Sequence, residues 1–200
     1  QEASFGLFRS SGFLDVLIAY STAPDDGIDL GGDVHVYGTT GEEDFEFKQL
    51  LWGLLHTLCI GDSKALAAVE RSSFFSVLLS AIRDPPQLAQ AWGATQLKSL
   101  QLQALSTLTA LAPLVPELYG ALDGNATTIR FLQTASSANI LGEAAPDLEL
   151  QQAALQLILH TSGLLDFPDQ LGELNALEVM LAVFNDSGLP IVMRRDAVAT

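Results

Sequence analysis

Lys48–Ile60 reads KQLLWGLLHTLCI, and the fold turns on this stretch. Leu51, Leu54, Leu55 and Leu58 fall at i, i+3, i+4 and i+7, the spacing that lays one apolar stripe along an α-helix. Fifty residues on, Lys98–Leu111 reads KSLQLQALSTLTAL, with Leu102, Leu105, Leu108 and Leu111 in a comparable stripe. Leu148–His160 reads LELQQAALQLILH, with Leu148, Leu155, Ile158 and Leu159. The three stretches share a register. Leu55, Leu105 and Leu155 stand at one position; Leu58, Leu108 and Ile158 follow three later; Leu54, Ala104 and Ala154 precede by one.

A second apolar helix follows each of these. Phe75, Leu78, Leu79 and Ile82 form its stripe in 72–83. Phe13, Val16, Leu17 and Tyr20 align with them, as do Leu177, Met180, Leu181 and Phe184. Ile129 and Leu132 keep part of the pattern, with Gln133 at an apolar position. Ser10–Leu14 and Arg71–Phe75 introduce two of these helices with similar phrases. Gly and Pro punctuate the chain at Ala23-Pro24, Gly61-Asp62, Asp84-Pro85-Pro86, Ala112-Pro113, Asp123-Gly124, Ala145-Pro146, Phe167-Pro168 and Ser187–Pro190. Helices of one to two dozen residues with tight connections fit between. Leu (36) and Ala (25), both strong helix formers, outweigh the 8% of aromatic residues, so the fold class is all-α. A strand has support only at Asp33–Tyr37.

A period of 40–50 residues with two or three helices per unit marks an α-solenoid. Over Lys48–Ile82, Lys98–Ser137, Glu149–Asn185 and Val192–Thr200 the chain resembles the armadillo/HEAT superfamily. Short segments between the longer helices, Lys64–Val69 and Leu114–Leu122, favour the armadillo form, although the repeats are irregular and two exceed the usual length. The resemblance implies a right-handed α-solenoid: the end of a repeat in 1–23, an acidic loop in 24–41, repeats in 42–84, 87–140 and 146–188, and the start of another in 190–200. An ordinary non-repeating helical bundle is the competing architecture. Pro190–Thr200 stops in mid-pattern without a polar cap, as in an excerpt from a longer array.

The charge is lopsided: 24 acids against 9 bases, a net of −15. With 48% hydrophobic residues the chain is too apolar for general disorder. With a pI near 4.2 it lacks the basic stripe that nucleic acid or an anionic membrane would need. One cysteine, Cys59, excludes an internal disulfide and a multi-cysteine zinc site. No run of eighteen apolar residues suggests a membrane span, and the start at Gln1 shows no signal-peptide pattern, so a cytoplasmic setting is expected.

Eight of the acids, Asp25, Asp26, Asp29, Asp33, Glu42, Glu43, Asp44 and Glu46, lie within 25–46 without a Lys or Arg. Without them sixteen acids face nine bases, a net of −7. The stretch is Gly-rich and does not fit the repeat. It reads as a solvated surface insertion or a docking loop for a basic partner segment. An EF-hand fails, because the twelfth position is Val36 counting from Asp25 and Thr40 counting from Asp29. Thr40 and Glu43 have capping-box spacing at the start of the next helix.

No recognised catalytic or cofactor pattern occurs: no HExxH, GxGxxG, Walker A or GxSxG. His35, His56 and His160 read as structural histidines. Cys59, three residues after His56, could form a Cys–His dyad but reads better as a small buried hydrophobe. Asn125-Ala126-Thr127 and Asn185-Asp186-Ser187 match the glycosylation triplet and carry no weight alone. The chain is therefore expected to be a non-enzyme without cofactor or metal.

By the resemblance, partners face the polar side of the last helix of each unit. That points to Asp15 in the first, Ser76 in the second, Arg130 and Thr134 in the third, and Glu178 and Asn185 in the fourth. The Trp/Asn array with which armadillo importins read basic peptides is absent: Trp52 lies on a first helix, Trp92 near a helix start, and only Asn185 suits a groove asparagine. Bases are too few for a catenin-type groove. The Ala/Leu/Gln-rich repeats are similar to armadillo-type proteins of ciliary axonemes, including the central apparatus. That resemblance implies a scaffold in a large cytoskeletal or ciliary assembly, contacting several proteins. The alternative is a soluble adaptor or regulator that binds basic peptides in its groove and acidic loop.

Overall fold

The computed structural model describes residues 12–22, 41–83, 93–137, 147–164, 175–185 and 190–199, with backbone alone at 41–44, 134–137 and 198. These residues are helical, and no strand occurs among them. Asp33–Tyr37, Thr40 and the acids at 25, 26, 29 and 33 lie outside the described residues. The chain divides into two compact units, Gln1–Gln103 and Ala104–Thr200.

The first unit holds α1 (Phe13–Thr22), α2 (Gly41–Gly61), α3 (Ser63–Glu70), α4 (Phe74–Arg83) and the beginning of α5 (Ala94–Leu111). α2 ends where Gly61-Asp62 interrupts the apolar pattern. Asp62 then caps α3, its Oδ1 accepting the Lys64 N–H at 3.0 Å. Ser72 caps α4 in the same way, its Oγ accepting from Phe74 N at 3.1 Å. The core is filled by Leu51, Trp52, Leu55 and Cys59 of α2, Val69 of α3, and Phe74, Phe75, Leu78, Leu79 and Ile82 of α4. The Trp52 ring meets Phe74 edge to face at 6.3 Å. Its Nε1 donates to the Ser21 carbonyl at 3.2 Å, tying α2 to α1. Two polar bonds fix α5 here: Gln49 Nε2 donates to Ser99 Oγ at 2.7 Å, and Gln101 Nε2 to the Ala81 carbonyl at 3.3 Å.

The second unit continues α5, then a 3-10 turn (Ala112–Leu114), α6 (Pro116–Ala121), α7 (Gly124–Ser137), α8 (Leu148–Thr161), α9 (Ala176–Asn185) and α10 (Ile191–Ala199). Pro113 and Pro116 sit in the first turns of their elements, where a missing N–H costs nothing. Asp147 caps α8, its Oδ1 accepting from Glu149 N and Leu150 N. Residues in the left-handed region precede three helices: Gly12 (φ 69°) before α1, Asp123 (φ 54°) before α7 and Asn175 (φ 52°) before α9. Gly, Asp and Asn bear this conformation at least cost. Substituting Asp147 by Ala removes both cap bonds; we expect about 1 kcal/mol less stability in urea unfolding, with little change for Glu149→Ala beside it.

The period of fifty is a period of burial. Leu55, Leu105 and Leu155 are fully buried, as are Ala104 and Ala154, and Leu58, Leu108 and Ile158 lie in the core. Leu51, Gln101 and Gln151 form another buried set at the same spacing. Several stripe members do not join this core. Leu54 and Leu148 are exposed, and Leu102 and Leu159 are half-buried.

The second-helix alignment needs a larger correction. On α4, Phe75, Leu78, Leu79 and Ile82 are buried as expected. On α1 the buried set is Leu14, Leu17, Ile18 and Ser21, whereas Phe13 and Val16 are exposed and Tyr20 is half-buried. On α9 it is Ala176, Met180 and Val183, while Leu177, Leu181 and Phe184 face solvent. The structural equivalents of Phe75, Leu79 and Ile82 are therefore Leu14, Ile18 and Ser21 on α1 and Ala176, Met180 and Val183 on α9, one residue away from the sequence alignment. On α7 they are Asn125, Ile129 and Leu132, with Thr128 matching Leu78. One residue turns a helix by about 100°, enough to exchange a flank for the core. The alignment followed the bulkiest residues, but small or polar residues fill part of the core.

Candidate interaction surface

The partner-facing candidates lie on α1, α4, α7 and α9, the helices that follow the short elements or occupy the equivalent place. Asp15, Arg130, Glu178 and Asn185 are exposed and Ser76 is half-buried. Thr134 is on α7, where only the backbone is described. α1 packs on α4 within the first unit, and α7 on α9 within the second. Asp15 and Ser76 thus sit on neighbouring helices, as do Arg130 and Glu178. Glu42 and Glu43 lie in the first turn of α2, where only the backbone is described.

The exposed apolar residues were not legible as a surface. Among the described residues they include Phe13 and Val16 on α1, Phe47, Leu50, Leu54 and Ile60 on α2, Leu114 in the 3-10 turn, Leu148 on α8, Leu177, Leu181 and Phe184 on α9, and Ile191 and Val192 on α10. On α1, α2 and α9 the signal was present as a second apolar row, at 13/16, 47/50/54 and 177/181/184. In the second unit the Arg194 guanidinium lies 5.7 Å from the Phe184 ring centroid, and its Nε donates to the Phe184 carbonyl at 2.8 Å. Buried Asp196 accepts from Gln156 Nε2 and pairs with Arg195 at 3.1 Å, joining α8 to α10.

Cys59 is buried, and desolvation, reinforced by Asp62, pushes its thiol up to about 12. Burial holds the half-buried His56 imidazole below its usual value. His160 is exposed near the end of α8, its Nδ1 within 2.8 Å of the Gln156 carbonyl. Asn125 and Thr127 of the first glycosylation triplet are buried in α7. Among the described residues no three His, Cys, Asp or Glu side chains gather as a metal site. No single described helix is long and apolar enough to cross a membrane, and the apolar α4 is core. We expect native Cys59 to react with a thiol reagent at pH 8 at least about a hundredfold more slowly than in the urea-unfolded chain. The same shift makes stability pH-dependent. The unfolded thiol ionises near 9.0 and the folded one near 12, so below 9 the two states bind the same proton. Between about 9 and 12 the folded state binds more, so stability falls as pH rises there; Cys59→Ala removes the part that begins near 9, and the buried Tyr119 phenol, also raised, keeps its own part above 10.

Long helix, short helix, long helix, with a core that recurs every fifty residues, defines an armadillo-type repeat protein. The profile of the family described as "Cilia- and flagella-associated protein 69, ARM repeat" matches residues 4–144, and the chain belongs to that family. Cilia- and flagella-associated protein 69 of Callithrix jacchus is 36% identical over 92 residues, 46% of this chain and 10% of that protein. The Mus musculus protein is 37% identical over 95 residues (46% and 10%), and the Homo sapiens protein 34% over 96 (48% and 10%). The matched stretch thus spans about a tenth of the length of these relatives.

Proposed function

We propose that this chain is a non-catalytic protein-interaction segment of a ciliary protein, a scaffold that holds several partners in an axonemal assembly. The observation that carries the reading is the family match over 4–144, together with relatives named for cilia and flagella. Repeated helical units present long lateral surfaces, which suits binding better than chemistry. The inert environment of Cys59 supports a non-catalytic role. In this reading the helices wind as a right-handed superhelix, with repeats at 42–84, 87–140 and 146–188 and a further one beginning at 190. The acids of 25–46, whose end from Gly41 is the start of α2, receive a basic segment, because the stretch carries eight acids and no Lys or Arg. The same excess disfavours nucleic acid and anionic lipid, and any microtubule contact through it would be indirect, since tubulin's surface is also acidic.

Affinity purification from ciliated cells tests the proposal. A scaffold retains its partners through a high-salt wash. A chain that purifies alone, and binds a lysine-rich peptide through 25–46 only at low salt, is instead a soluble adaptor.

A further inference from the structure

Two helices of the first unit carry an apolar flank beside their buried face. On α1, Phe13, Val16 and Tyr20 recur at i, i+3 and i+7; Phe13 and Val16 are each 44% exposed. On α2, Phe47, Leu50 and Leu54 recur at the same spacing and are 41%, 72% and 37% exposed. The flanks meet where the Tyr20 and Phe47 rings pack edge to face at 5.9 Å. Neither row belongs to the core, which takes Leu14, Leu17 and Ile18 from α1 and Leu51, Trp52, Leu55 and Cys59 from α2. Two apolar rows joined at an aromatic contact form a surface onto which a third helix can lay its own stripe.

The charges around it select the occupant. Among the side chains described on α1 and α2 the exposed charges are acidic, Asp15 and Glu46, and the one base, Lys48, is half-buried. Glu46 stands one helical turn before Leu50. A second copy, itself at −15, would bring acids against acids, and an anionic membrane would be repelled. We infer that the α1/α2 flank is a docking surface for an amphipathic partner helix whose apolar stripe is bordered by Lys or Arg. The inference rests on the scaffold reading and names one surface through which that scaffold works.

Two labelled eighteen-residue Leu/Lys peptides of identical composition, one with a single helical Leu stripe and one scrambled, test it by fluorescence anisotropy on the 200-residue chain. The stripe peptide should bind at least tenfold more tightly than the scrambled one. Leu50→Asp and, separately, Val16→Asp should each weaken it at least tenfold without lowering the thermal midpoint, since both side chains already face water. Each substitution adds a negative charge, so charge attraction alone would tighten binding, and a loss reads the apolar contact. Equal binding of both peptides, absence of binding, or affinity unaffected by either substitution overturns the inference. So does a self-associated chain whose dimer dissociates on Leu50→Asp. Failure here with partners still retained at high salt removes this surface and leaves the scaffold; loss of those partners with peptide binding intact removes the scaffold reading itself.

Discussion

Gly124→Ala should destabilise the second unit by about 2–3 kcal/mol, the upper part of the range for overpacking a core. At the start of α7, a Cβ on Gly124 would stand 2.3–2.5 Å from three atoms of the Tyr119 ring. That ring is fully buried and cannot swing away. Its hydroxyl lies 2.9 Å from Thr128 Oγ1, and Thr128 Oγ1 donates its one proton to the Gly124 carbonyl at 2.9 Å. The phenol must therefore donate to Thr128, closing a loop of contacts around the α6–α7 corner. Asp123, at φ 54°, turns the chain so that Gly124 comes against the ring. Tyr119→Phe keeps the ring and loses the hydrogen bond, and should cost about 1 kcal/mol. The decisive result is a double-mutant cycle. With Tyr119 already replaced by Ala, adding Gly124→Ala should cost almost nothing, because the ring that it strikes is gone. A cost of the same size in both backgrounds would mean that backbone, not the ring, sets the requirement for glycine.

Trp52→Ala should cost the first unit about 3–5 kcal/mol, the range for removing a large buried aromatic. Trp52 is completely buried, packs edge to face on Phe74, and is the side chain whose N–H reaches across to Ser21 on α1. Its loss opens a cavity between α2 and α4 and strands a carbonyl at the end of α1. Trp52→Phe fills most of the volume without the N–H and should lose roughly half as much. Urea unfolding followed by helical circular dichroism measures both. A Trp52→Ala chain with an unchanged midpoint would show that the first unit does not depend on this contact.

The first helices were legible because polar residues bracket their stripes. Gln103 and Ser106 on α5 and Gln152 on α8 stay out of the core and leave few ways to set Leu105 and Leu155 elsewhere, and both are buried, whereas the buried Gln101 and Gln151 run against that pattern. The helices α1 and α9 were legible as helices and not in rotation. α9 reads ALEVMLAVFN, apolar on most sides, so period alone does not separate Leu177, Leu181 and Phe184 from the true core of Ala176, Met180 and Val183. Bulk misled, because a helix that packs closely buries its small residues. The buried polar groups Thr128 and Asp196 escaped for the complementary reason: Tyr119 and Gln156 reach them through the fold, while buried Thr161 bonds back to the Leu157 carbonyl of its own helix. The candidate surface follows the same division. Asp15, Ser76, Arg130, Glu178 and Asn185 lie on α1, α4, α7 and α9, while the apolar flanks of α1 and α9 were taken for core.

The most direct test of the account is detergent and high-salt fractionation of ciliated cells in which the protein carrying this chain is tagged at its own locus. The account predicts that it stays with the demembranated axoneme through the salt wash. Release into the detergent-soluble fraction, free of any axonemal partner, would contradict it.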